Sequence, residues 1–123
     1  MDELKLGPVE AQFAQLIWDH APISSGELVK LCARELAWKK STTYTVLKKL
    51  CDKGIFRNDG GTVTVVKTKQ AVQAIQSHQF VEDAFSGSLP AFLAAFAQGG
   101  PLSTKDIRDI RAMIDAYEKG GGR

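Results

Sequence analysis

Residues 38–68 read WKKSTTYTVLKKLCDKGIFRNDGGTVTVVKT, and within them the period of the apolar residues changes. From about Ser41 to Lys53, Thr43, Val46, Leu47 and Leu50 recur at helical spacing, which predicts an amphipathic helix with one face turned to a core. Ser41 is the expected N-cap. Gly54 is the expected residue just past the helix, where a left-handed conformation meets no Cβ clash. Beyond it the period is two. Ile55-Phe56-Arg57 reads as a short strand, Asn58-Asp59-Gly60-Gly61 as a hairpin turn, and residues 62–68 as a returning strand rich in β-branched side chains. A lone two-stranded hairpin is marginal in water, so this one must lean on neighbouring helices.

Two helices precede it. The first is expected from Leu6 to His20, with Gly7 as N-cap, Pro8 at N1 and Glu10 at N3. Val9, Phe13, Leu16 and Ile17 form its apolar stripe. His20 closes it as a partner for the helix dipole. Pro22 disfavours the helical conformation at Ala21 and ends the run. Ser24-Ser25-Gly26-Glu27 is a capping box opening a second helix to about Glu35, with Leu28, Leu31 and Cys32 facing inward. Trp38 is expected where the second and third helices meet. Three helices of this size with short turns, the third one basic, followed by a hairpin, make a winged helix-turn-helix over residues 1–69.

Residues 70–123 are helical again. Ala71, Ala74, His78, Val81 and Phe85 recur at spacings of three and four until Gly87 breaks the helix. Leu89 to Ala97 is short, apolar and aromatic. A last helix follows Leu102, with Ser103 as N-cap and Asp106 at N3, and Ile107, Ile110, Ile114 and Tyr117 form a seam. About fifty residues in three pieces rarely build a sufficient core alone. Their stripes must be covered by the rest of the chain or by a second copy, and the second reading predicts an α-helical dimerisation domain. Its contact residues are Ile75, His78, Val81, Phe85, Phe92, Phe96, Ile107, Ile110, Ile114 and Tyr117. The fold class is therefore mainly α with a small β-hairpin.

Charge distribution points to a partner. The 123 residues carry a net charge of only +2, but between Lys39 and Lys69 eight basic residues face two acidic ones, a local +6. A field of that sign and density suits a phosphate backbone. On the third helix Lys40, Ser41, Tyr44, Thr45 and Lys48 share the face opposite the apolar stripe, with Thr42 flanking it. A major groove admits one such helix. Lys and hydroxyl groups reach base edges or phosphates there, and Thr methyls touch thymine methyls. Lys49 serves as a backbone-positioning charge, and Arg57, Asn58 and Lys67 form the rim of the wing. No Arg or Asn lies on the helix face, so phosphate and thymine-methyl contacts carry more weight than bidentate base pairing.

Other classes are less well supported. Cys32 and Cys51 form neither a disulfide framework nor a zinc spacing, and read as buried or half-buried thiols. No nucleophile–base pair, paired carboxylate set, metal cluster or phosphate loop appears, so neither an enzyme nor a cofactor is expected. No apolar run approaches a membrane span, so no membrane insertion is expected. The first ten residues lack a signal-peptide apolar region, and a cytoplasmic location is expected. Two alternatives to a DNA reader stay open. One is a small-molecule-responsive regulator whose pocket is lined by Phe80, Phe85, Phe92, Phe96 and Tyr117. The other is a winged helix that binds protein.

The chain also resembles the penicillinase-repressor family of bacterial transcription regulators. The likeness rests on Leu6-Gly7-Pro8-Val9-Glu10, on Leu16-Ile17-Trp18, on Trp38, on STTYTVLKKLCDKGIF from Ser41, and on LSTKDIRDIRAMIDAY near the C-terminus. It implies a homodimeric repressor that binds double-stranded, inverted-repeat operator DNA. In the antibiotic-resistance branch it further implies a membrane sensor protease as partner, with cleavage near Ala95-Phe96. The family has Asn before that Phe, where this chain has Ala95. The copper-responsive branch carries a C-terminal cysteine motif, and no cysteine follows Cys51 here, so no metal site is expected.

Overall fold

The computed structural model describes residues 4–120. The order of elements is α1 (Pro8–His20), β1 (Ile23–Ser24), α2 (Ser25–Leu36), α3 (Lys40–Asp52), β2 (Phe56–Asp59), β3 (Thr62–Val65), α4 (Lys69–Phe85), α5 (Leu89–Gly99) and α6 (Thr104–Lys119). This is a winged helix-turn-helix followed by helices. Two compact units divide within α4, one extending to Phe80 and the other beginning at Val81.

The N-terminal unit is built on one core. Phe13, Ala14 and Ile17 of α1, Leu28, Leu31 and Cys32 of α2, and Leu47 and Leu50 of α3 are buried, with Ile55, Phe56 and Val63 closing the core from the sheet side. Trp38 stacks on Phe13 of α1, ring centroids 5.2 Å apart. Thr43 is the one buried polar residue among those described, and its hydroxyl donates to the Lys39 carbonyl at 3.2 Å. That bond satisfies a group whose burial would otherwise be costly.

Several local expectations are corrected. Helix α1 starts at Pro8 rather than Leu6, with Gly7 as N-cap and the Glu10 carboxylate accepting from the Gly7 amide at 3.2 Å. Val9 is 52 % exposed, and Ala14 takes the inward place expected of it. Helix α3 starts one residue early, so Lys39 is its N-cap and Ser41 lies inside its first turn. The hairpin turn is tighter than its composition implied. Asn58 and Asp59 belong to β2, and Asp59 pairs with Thr62 across a two-residue turn. Gly60 and Gly61 both have positive φ, 57° and 94°. That is the turn whose twist matches two right-twisted strands, and side chains with a Cβ enter it poorly. The returning strand ends at Val65, not Thr68, and the sheet has a third strand: β1 pairs with β3, Ile23 opposite Val63.

The C-terminal end of α3 closes as its glycine predicts. Gly54 adopts φ 81°, its amide donates to Cys51, and the Ile55 amide donates to Leu50. These two bonds satisfy carbonyls left open at the helix end and bring Ile55 into the core.

Helix α4 turns a different face inward from the one its alanines marked. Val72 is buried and Ile75 packs against the N-terminal core, so Ile75 is half-covered there rather than free for a dimer seam. Ala71, Ala74 and His78 are exposed. Gln76 and Gln79 join the inward face by holding one backbone residue. Gln76 Nε2 donates to the Leu4 carbonyl and Gln79 Oε1 accepts from the Leu4 amide, each at 3.2 Å. Leu4 itself is buried.

In the C-terminal unit, Ser88 and Ser103 cap α5 and α6 through the Ala91 and Asp106 amides. Phe92 lies edge-on to Phe85 at 5.6 Å and is 6.1 Å from Phe96. Neither α5 nor α6 buries a single residue.

Candidate nucleic-acid interface

Helix starts differ in how they treat their unpaired amides. An acidic residue lies in the first turn of α1, α2 and α6 (Glu10, Glu27 and Asp106), as the positive end of a helix dipole favours. A serine hydroxyl caps α5, and the Thr68 hydroxyl accepts from the Ala71 amide at the start of α4. Among the described helices α3 alone has neither device. Its N-cap is Lys39, its first residue is Lys40, no side chain caps it, and its first turn has no acid. Two cations at the positive end of a helix oppose its folding. They suit an anion arriving from outside, where free amides and ammonium groups act together.

The face that follows is exposed throughout. Lys40, Ser41, Thr42, Tyr44, Thr45 and Lys48 all lie at the surface, opposite the buried Thr43, Leu47 and Leu50. Tyr44, Leu47, Lys48 and Cys51 of α3 and Asn58 of β2 line one hollow of about 380 Å³ between helix and wing. Tyr44 and Lys48 of the helix face therefore share a hollow with Asn58 of the wing.

Some expected contacts have other work. Lys49 Nζ lies 2.6 Å from a Glu10 carboxylate oxygen, which ties α3 to α1. The Lys49 hydrogen bond, helped by the Gly7 amide, holds the Glu10 carboxyl below its ordinary range despite partial burial. Lys49 is thus a strut of the domain. Lys67 is half-buried, with Nζ 3.5 Å from the Gly54 carbonyl, so its ammonium is turned towards the end of α3. Asn58 Oδ1 accepts from the Gly61 amide at 3.1 Å and braces the turn. Arg57 is exposed, 4.0 Å from Asp59, a separation that leaves its guanidinium available. Lys48 pairs with Asp52 one turn on, at 3.0 Å, both well exposed. Such a pair is worth little and opens readily to a phosphate.

Ser25 belongs to this surface and was read only as part of a capping box. The Tyr44 hydroxyl donates to Ser25 Oγ at 3.1 Å, and the Ser25 amide donates to the Gly61 carbonyl at 2.7 Å. The start of α2 thereby links recognition face and wing turn. No spacing rule announces this, because the three residues meet only through the fold.

Burial raises the Cys32 pKa, and burial together with the neighbouring Asp52 raises that of Cys51. Among the described residues no group of three His, Cys, Asp or Glu side chains is placed to hold a metal ion. No helix there is long and apolar enough to cross a membrane.

In the C-terminal unit the expected contact residues are largely uncovered. Phe96, Ile107, Ile114 and Tyr117 are 40–65 % exposed. Val81, Phe85, Phe92 and Ile110 are half-buried. Ala95 and Phe96 are both exposed and lie in the middle of α5.

A basic, uncapped third helix beside a glycine-turned wing defines a winged helix-turn-helix protein. Among known families the match is to the penicillinase repressor family, over residues 6–116, and the chain belongs to that family. At the level of the family this is a DNA-binding transcriptional repressor. The chain is 21% identical over 118 residues to the penicillinase repressor of Bacillus licheniformis, an alignment covering 93% of this chain and 92% of that protein.

Proposed function

We propose that the protein is a homodimeric, sequence-specific repressor that works in the cytoplasm and lays α3 in the major groove of an inverted-repeat operator. The observation that carries this is the start of α3. Lys39 and Lys40 stand there with open amides and no acid, an arrangement that costs helix stability and gains only when an anion binds. Ser41, Thr42, Tyr44 and Thr45 then face base edges, and Arg57 reaches the backbone beside the groove. The exposed apolar side chains of α5 and α6 support pairing, and a two-fold dimer reads a two-fold site.

The test is selection of bound sequences from genomic DNA, followed by titration of the enriched site over a range of salt. The expected result is a palindromic site and a log K that falls by about 0.9 per neutralised phosphate for each decade of salt. Lys40→Ala and Lys48→Ala should each reduce that slope by about one contact per protomer while leaving the oligomeric state unchanged. Binding without palindromic enrichment, or with a slope unaltered in both variants, overturns the reading.

A further inference from the structure

A cleft of about 390 Å³ opens between α1 and α4, wholly within the N-terminal unit. Its size is at the lower end of small-molecule sites, about 300–1,000 Å³. Its chemistry is divided. Leu6, Ala11 and the indole of Trp18 give it an apolar wall, while Lys69, Gln73 and Gln76 line it from one face of α4. Lys69 is its only charged lining residue and has no ion-pair partner among the described residues.

Free N–H groups remain there beside the Lys69 ammonium. Gln76 uses Nε2 on the Leu4 carbonyl and keeps its second N–H. Among the described residues the Gln73 side chain makes no hydrogen bond, and Gln15 across the cleft uses one N–H of its Nε2 on Asp19 at 2.8 Å and keeps the other. Trp18 has also spent its N–H, on the Lys67 carbonyl at 3.0 Å, so it offers the cleft only its ring. One cation flanked by carboxamide donors, facing an indole ring, matches a single negative charge on an apolar body.

We propose that this cleft binds a small monocarboxylate, its carboxylate on Lys69, Gln73 and Gln76 and its hydrocarbon part on Trp18, Leu6 and Ala11. The Trp18 hydrogen bond to Lys67, just beyond β3, joins the wall of the cleft to the base of the wing. Occupancy is therefore felt at the wing, although the site does not depend on the protein's binding DNA.

The test is an NMR titration of the full chain with phenylacetate and, in parallel, with the uncharged phenylacetamide. Phenylacetate should shift the Trp18 indole resonance and the Lys67 amide saturably, and leave the Trp38 indole in place. Lys69→Gln, an exposed substitution that leaves the core intact, should weaken phenylacetate roughly fivefold, as expected for a partly solvated ion pair. Phenylacetamide should bind the wild type weakly, and Lys69→Gln should not weaken it further. A linear, unsaturated response, equal affinity for acid and amide, or wild-type affinity in Lys69→Gln would each overturn the proposal. No DNA enters the measurement, so failure of the repressor reading leaves the result interpretable.

Discussion

The two halves of the molecule carry similar apolar patterns and use them differently. In the N-terminal unit the stripes of α1, α2 and α3 cover one another, and side chains as large as Phe13, Ile17 and Phe56 are almost wholly removed from solvent. In the C-terminal unit α5 is rich in Leu, Ala and Phe and α6 has a regular seam, yet no residue of either is buried. The contrast teaches that periodicity marks which face wants cover without saying what supplies it. Three helices with a sheet across their open end can close a core within a single chain. The helices after Phe80 leave Phe96, Met113, Ile114 and Tyr117 more than half exposed. Exposed apolar side chains of that size ask for cover that the sequence pattern alone does not name.

The contrast can be broken or sharpened by substitution. The largest effect is expected in the closed core. Phe13→Ala removes a ring that is fully buried and stacked on Trp38, and should cost about 3–5 kcal/mol of unfolding free energy in denaturant titration. A cost under 1 kcal/mol would show that the N-terminal core is less closed than its burial implies.

The next effect belongs to the open half. If a second copy covers α6, Ile114→Asp buries a charge in the interface. The dimer should then dissociate by at least about tenfold in sedimentation equilibrium, because a buried, unpaired charge costs several kcal/mol. The melting of the N-terminal unit should stay unchanged. An unaltered dimer constant would place the pairing surface elsewhere.

The smallest effect tests the strut between α1 and α3. The Glu10 carboxyl is held below its ordinary value in the folded state, so the Lys49–Glu10 pair stabilises the fold at neutral pH. That contribution is lost as pH falls through the folded-state value, which lies below the ordinary carboxylate range. Glu10→Gln should therefore flatten the acid limb of the stability curve. At pH 7 it should cost less than about 1 kcal/mol, since Lys49 is largely solvated. An acid limb of unchanged steepness would assign that sensitivity to other carboxylates.

Much of this architecture was legible in the residues because its signals are local. Gly54, the serine caps of α2 and α6, and the change of period after α3 each act within a few positions. What escaped the sequence depends on pairing at a distance. The two-residue strand β1 has no pattern of its own and exists because Val63 lies opposite Ile23. The inward face of α4 was misassigned because Gln76 and Gln79 read as polar, whereas they satisfy the backbone of Leu4 against the core. On the candidate interface, exposure of the α3 face followed directly from its helical period. The diversion of Lys49 to Glu10 and of Lys67 towards Gly54 did not, because a lysine's length lets it choose among partners that only the fold brings near.

The hydrogen bond from Tyr44 to Ser25 has an entropic consequence. A tyrosine ring free to swing on the surface of a recognition helix would lose that freedom on meeting DNA, and immobilising such a side chain costs about 0.5–1.5 kcal/mol. Here the hydroxyl is fastened before any partner arrives, and its anchor is itself fastened to Gly61. The ring's orientation is thus settled during folding, and any partner of this face meets a surface already shaped.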